Sequence, residues 1–198
     1  MMAPTPSLVR DFWSFMTERF ETRVVDKRSA RSMKLFGGLL AKLVSMDRDV
    51  FLLHRATTIG GTIYLPFQPG DDRSDWGLWE QMLLCVVEHD RVLQGEELGV
   101  IGYGLRRLTS LGRALLEAEA CRCRLEMEWW RTGRVPDPVA IADRLRGDGV
   151  VDAHIALVAI SLRRAAERIR AGVIHSRASA VAIEWLDTFA PHLRAATT

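Results

Sequence analysis

The chain has 198 residues, 48% of them hydrophobic and 26% charged, which is enough for one compact domain with a sizeable core. A formal charge of +2 argues against the concentrated basic surface of a nucleic-acid-binding domain, and the lack of eighteen uninterrupted apolar residues argues against a membrane span. Cys85, Cys121 and Cys123 lie in apolar helical surroundings rather than in a disulfide framework, and the N-terminus lacks a basic region followed by an apolar run. A cytoplasmic protein without a secretory signal is therefore expected.

Pro4 and Pro6 precede Ser7–Phe20, where Leu8, Phe12, Phe15 and Met16 recur at helical spacing and Ser7 is placed to cap. A second amphipathic helix is predicted from Ser29 to Met46, with Met33, Phe36, Leu39, Leu40 and Leu43 on one stripe. The paired Gly37-Gly38 in its centre suits a close helix crossing. The pattern then turns to β-branched and aromatic residues, in Asp49–Arg55 and in Thr57–Phe67 around Gly60-Gly61, which predicts a hairpin. Gln68–Ser74 reads as a loop, and Ser74 or Asp75 is positioned to cap a long helix from Trp76 to Gln94 that stops near Gly95.

Gly99, Gly102 and Gly104 mark a connector before the next helical pattern, which runs from Ser110 to Trp129-Trp130 and closes at Gly133. Beyond the break at Val135–Pro138, a short helix is predicted for Pro138–Arg146. Another follows from the cap Asp152 to about Ala171, and a last one covers Ser179–Leu193. The expectation is a single domain over residues 1–198, mainly α with a small β-hairpin. Its central part, about 50–133, carries helical extensions at 7–46 and 138–193.

The stretch that bears chemistry is Leu84-Cys-Val-Val-Glu-His-Asp-Arg-Val-Leu-Gln94. Zinc peptidases place His-Glu-x-x-His on one helix, where the histidines four residues apart bind the metal and the Glu activates its water. This segment resembles the corresponding helix of uncharacterised bacterial and phage-type gluzincin-like metallopeptidases, with Val87 and Arg91 standing at the two histidine positions. In that alignment Glu88 takes the general-base position and Gln94 the glutamine that follows. Ala56–Pro66 resembles the family's glycine-containing edge hairpin. Leu116-Glu-Ala-Glu-Ala-Cys121 resembles its Glu-bearing helix, with Glu119 the better candidate for a third ligand and Glu117 its rival. The resemblance implies a zincin-like core.

Valine offers no lone pair and arginine stays protonated, so two of the three implied ligands are missing and ordinary zinc hydrolysis is not expected. Arg91 is instead expected to fill the metal's electrostatic place, paired with Glu119 or Glu117 and with Glu88, which leaves Glu88 a vestigial base. The expected function is a pseudoenzyme with no cofactor that binds a protein or peptide, taking an extended segment along an edge strand at Thr62, Ile63, Tyr64 and Leu65. One alternative is an active zinc hydrolase rebuilt on Cys85 and His89, four residues apart on one helix face, with Glu119. Another is a helical nucleic-acid-binding or regulatory module, for which Arg163, Arg164, Arg168 and Arg170 provide a basic side.

Other conspicuous residues read as structural. Trp13, Trp76, Trp79, Trp129, Trp130 and Trp185 suit the core better than a stacking platform. Glu117, Glu119, Glu126 and Glu128, spaced by two and by seven, cannot share one site on a helix. His54, His154, His175 and His192 have no ligand partner at helical spacing.

Overall fold

The computed structural model describes residues 2–27, 56–148 and 150–195. Over these the protein is mainly helical with one small sheet of three strands. The expected helix at Ser29–Met46 and strand at Asp49–Arg55 lie outside the described residues, as does His54.

Helix α1 (Pro6–Arg19) begins on Thr5 rather than Ser7. The Thr5 hydroxyl accepts from the Leu8 amide, and Pro6 occupies the first turn, where a missing N–H costs nothing. Its stripe of Val9, Phe12, Trp13 and Met16 is buried. The chain turns through Glu21 (φ 50°) into β1 (Arg23–Asp26), a strand that no sequence pattern announced.

Strands β2 (Thr57–Ile59) and β3 (Thr62–Leu65) form the predicted antiparallel hairpin around Gly60-Gly61, and β1 joins β3 in parallel. The order β1–β3–β2 makes β3 the central strand. Its alternate residues Ile63 and Leu65 point into the core and are fully buried.

Helix α2 (Leu78–Leu108) is longer than predicted. It runs past the expected stop at Gly95, breaks at Gly99 (φ 67°, ψ 157°), a non-helical conformation open to few residues but glycine, and resumes through Gly102 and Gly104. Every residue from Gln81 to Asp90 is buried, because α1, the sheet and the later helices Ser110–Thr132 and Arg177–Phe189 pack around this half. No side chain caps its start. The Ser74 hydroxyl instead donates to the Asp71 carbonyl, and the fully buried Gln81 binds the preceding loop. Gln81 donates to the carbonyls of Asp71 and Trp76 and accepts from the Gly70 amide at 2.8 Å. Gly70 (φ 77°) has no room for a side chain, since a Cβ would lie 2.3 Å from the Pro6 carbonyl oxygen.

Helix α3 (Ser110–Thr132) starts on Thr109, whose hydroxyl accepts from the Gly112 amide, and ends at Gly133. It presents two apolar stripes. Ala120, Cys123, Met127 and Trp130 join the core formed with α1, α2, the sheet and α6 (Arg177–Phe189). Ala114, Ala118, Cys121 and Leu125 join a second core with α4 (Pro138–Asp143) and α5 (Asp152–Arg170). Short 3-10 turns, Arg144–Asp148 and Pro191–Leu193, end the segments predicted as longer helices.

The tryptophans belong to these cores. Trp13, Trp79, Trp130 and Trp185 are buried, and the indole N–H groups of the first three donate to the Gln81 carbonyl, Glu128 and Asp187. No helix among the described residues is long and apolar enough to cross a membrane.

Candidate functional site

Three consecutive residues of α2 lead to three different environments, because a helix turns about 100° per residue. Glu88 faces β2 and α3, His89 faces α1, and Asp90 faces the start of α6.

Glu88 is fully buried. Its Oε2 accepts from the Thr58 hydroxyl at 2.6 Å and its Oε1 from Arg91 Nη1 at 2.5 Å. Arg91 Nη2 donates to Glu117 Oε2 at 2.8 Å, and Glu117 Oε1 accepts from Arg107 at 3.2 Å. Arg107 in turn lies over the Tyr103 ring, 5.4 Å from its centre. Burial works against the Arg91 charge, but Glu88 and Glu117 outweigh it and hold the guanidinium protonated above its ordinary range. Burial raises the Tyr103 phenol, while Arg107 and Arg91 pull it down.

This chain of charges joins β2, α2 and α3 at one point. With both carboxylate oxygens of Glu88 hydrogen-bonded and its side chain closed from solvent, this geometry leaves it poorly placed to act as a general base. The guanidinium between two carboxylates supplies the positive charge they need. Val87, at the other implied ligand position, is packed into the main core.

The partner of Arg91 on α3 is Glu117, and Glu119, favoured by the sequence, takes no part. Glu119 pairs with Arg122 three residues along the same helix, on the side that meets α5. Residues two apart on a helix diverge by about 200°, so only one of the two glutamates can reach α2 at this point.

The Cys85–His89–Glu119 set does not come together. The His89 Nδ1–H donates to the Cys85 carbonyl at 2.7 Å, leaving Nε2 to accept from the Thr22 hydroxyl at 3.0 Å. Both ring nitrogens are thereby hydrogen-bonded, and the ring is packed between Trp13 and Phe20. Burial lowers the His89 pKa to about 4, against smaller opposing effects of the Cys85 carbonyl and Glu88, so the ring is neutral at pH 7. Burial, with Glu88 nearby, pushes the Cys85 thiol well up, which disfavours the thiolate a metal would need. Among the described residues, no three His, Cys, Asp or Glu side chains are grouped to hold a metal ion.

Asp90 serves a different purpose. Its Oδ1 accepts from the Ser176 hydroxyl at 2.9 Å and its Oδ2 from Gln94 at 2.7 Å. Glu126, fully buried on α3, accepts from the amides of His175 and Ser176 at 2.8 and 3.3 Å. Ser176 caps α6 by accepting from the Ser179 amide. Two carboxylates therefore anchor the positive end of one helix, which is a structural role.

Comparison with known protein families, characterised proteins and solved structures finds no match to this chain. The functional reading therefore rests on the residues themselves.

The expected peptide-binding edge at Thr62, Ile63, Tyr64 and Leu65 is corrected by the sheet. Strand β3 has neighbours on both sides, so its backbone hydrogen bonds are already committed. Thr58, Tyr103, Arg107 and Gln81 were not singled out from the sequence. Only Thr58 carried a signal there, as a hydroxyl on the hairpin implied to lie beside the Glu88 helix.

Proposed function

We propose that this protein is a non-catalytic relative of gluzincin-like metallopeptidases that works by binding a protein or peptide. The observation that carries the reading is Arg91, which joins Glu88 on the helix to Glu117 on the next one, at the position where the resemblance implies a zinc ligand. An arginine there removes a ligand and neutralises the carboxylates a metal would have neutralised, so the fold keeps its charge balance without the metal.

Strand addition falls to an outer strand of the sheet; β1 and β2 each pair only with β3 among the described residues, and β2 (Thr57–Ile59) is the one joined to Glu88. Ile59 at its end is 41% exposed, and Thr58 ties the strand to the Arg91 centre.

Restoring both histidines tests the ancestry. The Val87→His/Arg91→His double variant is expected to bind one zinc ion per chain, with Glu117 as third ligand, and to lose it when Glu117 is changed to Gln. A folded double variant with no zinc would overturn the zincin-like reading. Hydrolysis of peptides by the unmodified protein would overturn the non-catalytic one. For the binding mode, hydrogen exchange with a captured peptide partner should protect the amides of 57–59; a footprint wholly elsewhere would remove β2 as the docking edge.

A further inference from the structure

We propose that the cleft between α3 and α5 is a binding site for a small amphiphilic anion, a carboxylate carried on an apolar body. It shares no residue with the Arg91 centre and does not depend on the metallopeptidase-like reading. The cleft is a half-open cavity of about 390 Å³, within the range of small-ligand pockets.

Its two ends differ in chemistry. The helices run in the same direction, since the Ser110 hydroxyl at the start of α3 meets His154 and the Val151 amide at the start of α5, while Glu126 further along α3 meets the amides after α5. Leu157, Ile160, Arg164 and Arg168 follow one another on one face of α5 at steps of three and four residues. Leu157 and Ile160 make an apolar wall, with Ala118 of α3 also lining the cleft. They remain 54% and 47% exposed, so the cleft offers apolar surface that the fold itself does not cover.

One to two turns further on, the lining becomes cationic. Arg164 and Arg168 project from α5, Arg122 from α3, and His175 from the loop after α5. Among the described residues the one acid in the lining is Glu119, and it is paired with Arg122. Arg122 also keeps a buried Nε–H with no partner. Arg168 meets His175 only at 3.5 Å, which leaves most of its donors unengaged by that contact. Within the lining three guanidinium groups face one carboxylate, while Asp90 and Glu126, whose charges also reach Glu119, lie outside it and are engaged by Ser176, Gln94 and the amides of His175 and Ser176. The planar guanidinium forks match a carboxylate in geometry. A head group bound there places its apolar body along Ile160 and Leu157, a span of roughly 16 Å from Arg168 to Leu157 at 1.5 Å per residue.

Titration of the full-length protein with octanoate, 1-octanol and acetate, followed by amide NMR shifts, tests the site. Octanoate is expected to bind saturably at one site per chain and to shift resonances of α3 and α5. Octanol, which lacks the charge, and acetate, which lacks the apolar body, are each expected to bind at least tenfold more weakly. Arg164→Gln with Arg168→Gln, both exposed and so compatible with folding, should weaken octanoate at least tenfold. Absence of saturable octanoate binding, equal binding of octanol, or an unchanged affinity in the double variant would each overturn the proposal.

Discussion

Glu88 and Asp90 stand two residues apart on α2, and each brings a carboxylate into the interior, yet the two faces of the helix accommodate them by different means. On the β2 and α3 side, Glu88 is matched by a full positive charge from Arg91 and one hydroxyl. On the α6 side, Asp90 is matched by neutral groups, the Ser176 hydroxyl and the Gln94 amide, beside the N-terminus of a helix. A charge matched by a charge is sensitive to loss of either partner, whereas a charge matched by several dipoles distributes its support. His89, between them, avoids the problem by remaining neutral.

The comparison is broken most severely at Arg91. Arg91→Met leaves Glu88 buried with no cation beside it, and denaturant unfolding is expected to show a loss of about 3–5 kcal/mol. Adding Glu88→Gln should return a large part of that loss, since the charge that needed a partner is gone. A double variant no more stable than the single one would mean that Arg91 acts through packing instead.

Acidification probes the neutral residue between the two faces. Folding lowers the His89 pKa from 6.5 to about 4, so in that interval the unfolded chain takes up a proton that the folded chain refuses. Its share of stability is intact above pH 6.5 and is lost as the pH falls towards 4, by about 3 kcal/mol in all. Chemical denaturation at stepped pH reads this as a slope that flattens when His89 is replaced by Gln.

The smallest effect is expected at Ser176. Ser176→Ala removes the cap of α6 and one hydrogen bond to Asp90, at a cost of about 1–2 kcal/mol by denaturant unfolding. The remaining acceptor bond of Asp90 to Gln94 and the amides held by Glu126 should keep α6 in place. A loss as large as that at Arg91 would show that the two carboxylates are not balanced differently after all.

Periodicity was enough to read the helices at Pro6–Arg19, Ser110–Thr132 and Asp152–Arg170 to within a few residues, because their apolar stripes repeat every three to four positions. The hairpin was legible from β-branched residues around two glycines. Strand β1 was not, since four residues of Arg-Val-Val-Asp acquire strand character only by pairing with β3. Gly99, Gly102 and Gly104 suggested a break, and the chain does break at Gly99, whose φ of 67° and ψ of 157° are not helical, while helical geometry resumes through Gly102 and Gly104, where the propensity cost of a single glycine is small.

By itself, the sequence determined the residue types of the centre: a valine and an arginine that bind no metal, with Glu88 between them on one helix. Spacing along α2 placed Glu88 and Arg91 on one side, since residues three apart on a helix are neighbours. The choice of Glu117 over Glu119, the hydroxyl of Thr58, the central position of β3 and the diversion of His89 to Thr22 were decided only in the tertiary structure. Each depends on how one element is rotated against another, and that rotation is set by packing of whole faces in the core, which no local run of residues encodes.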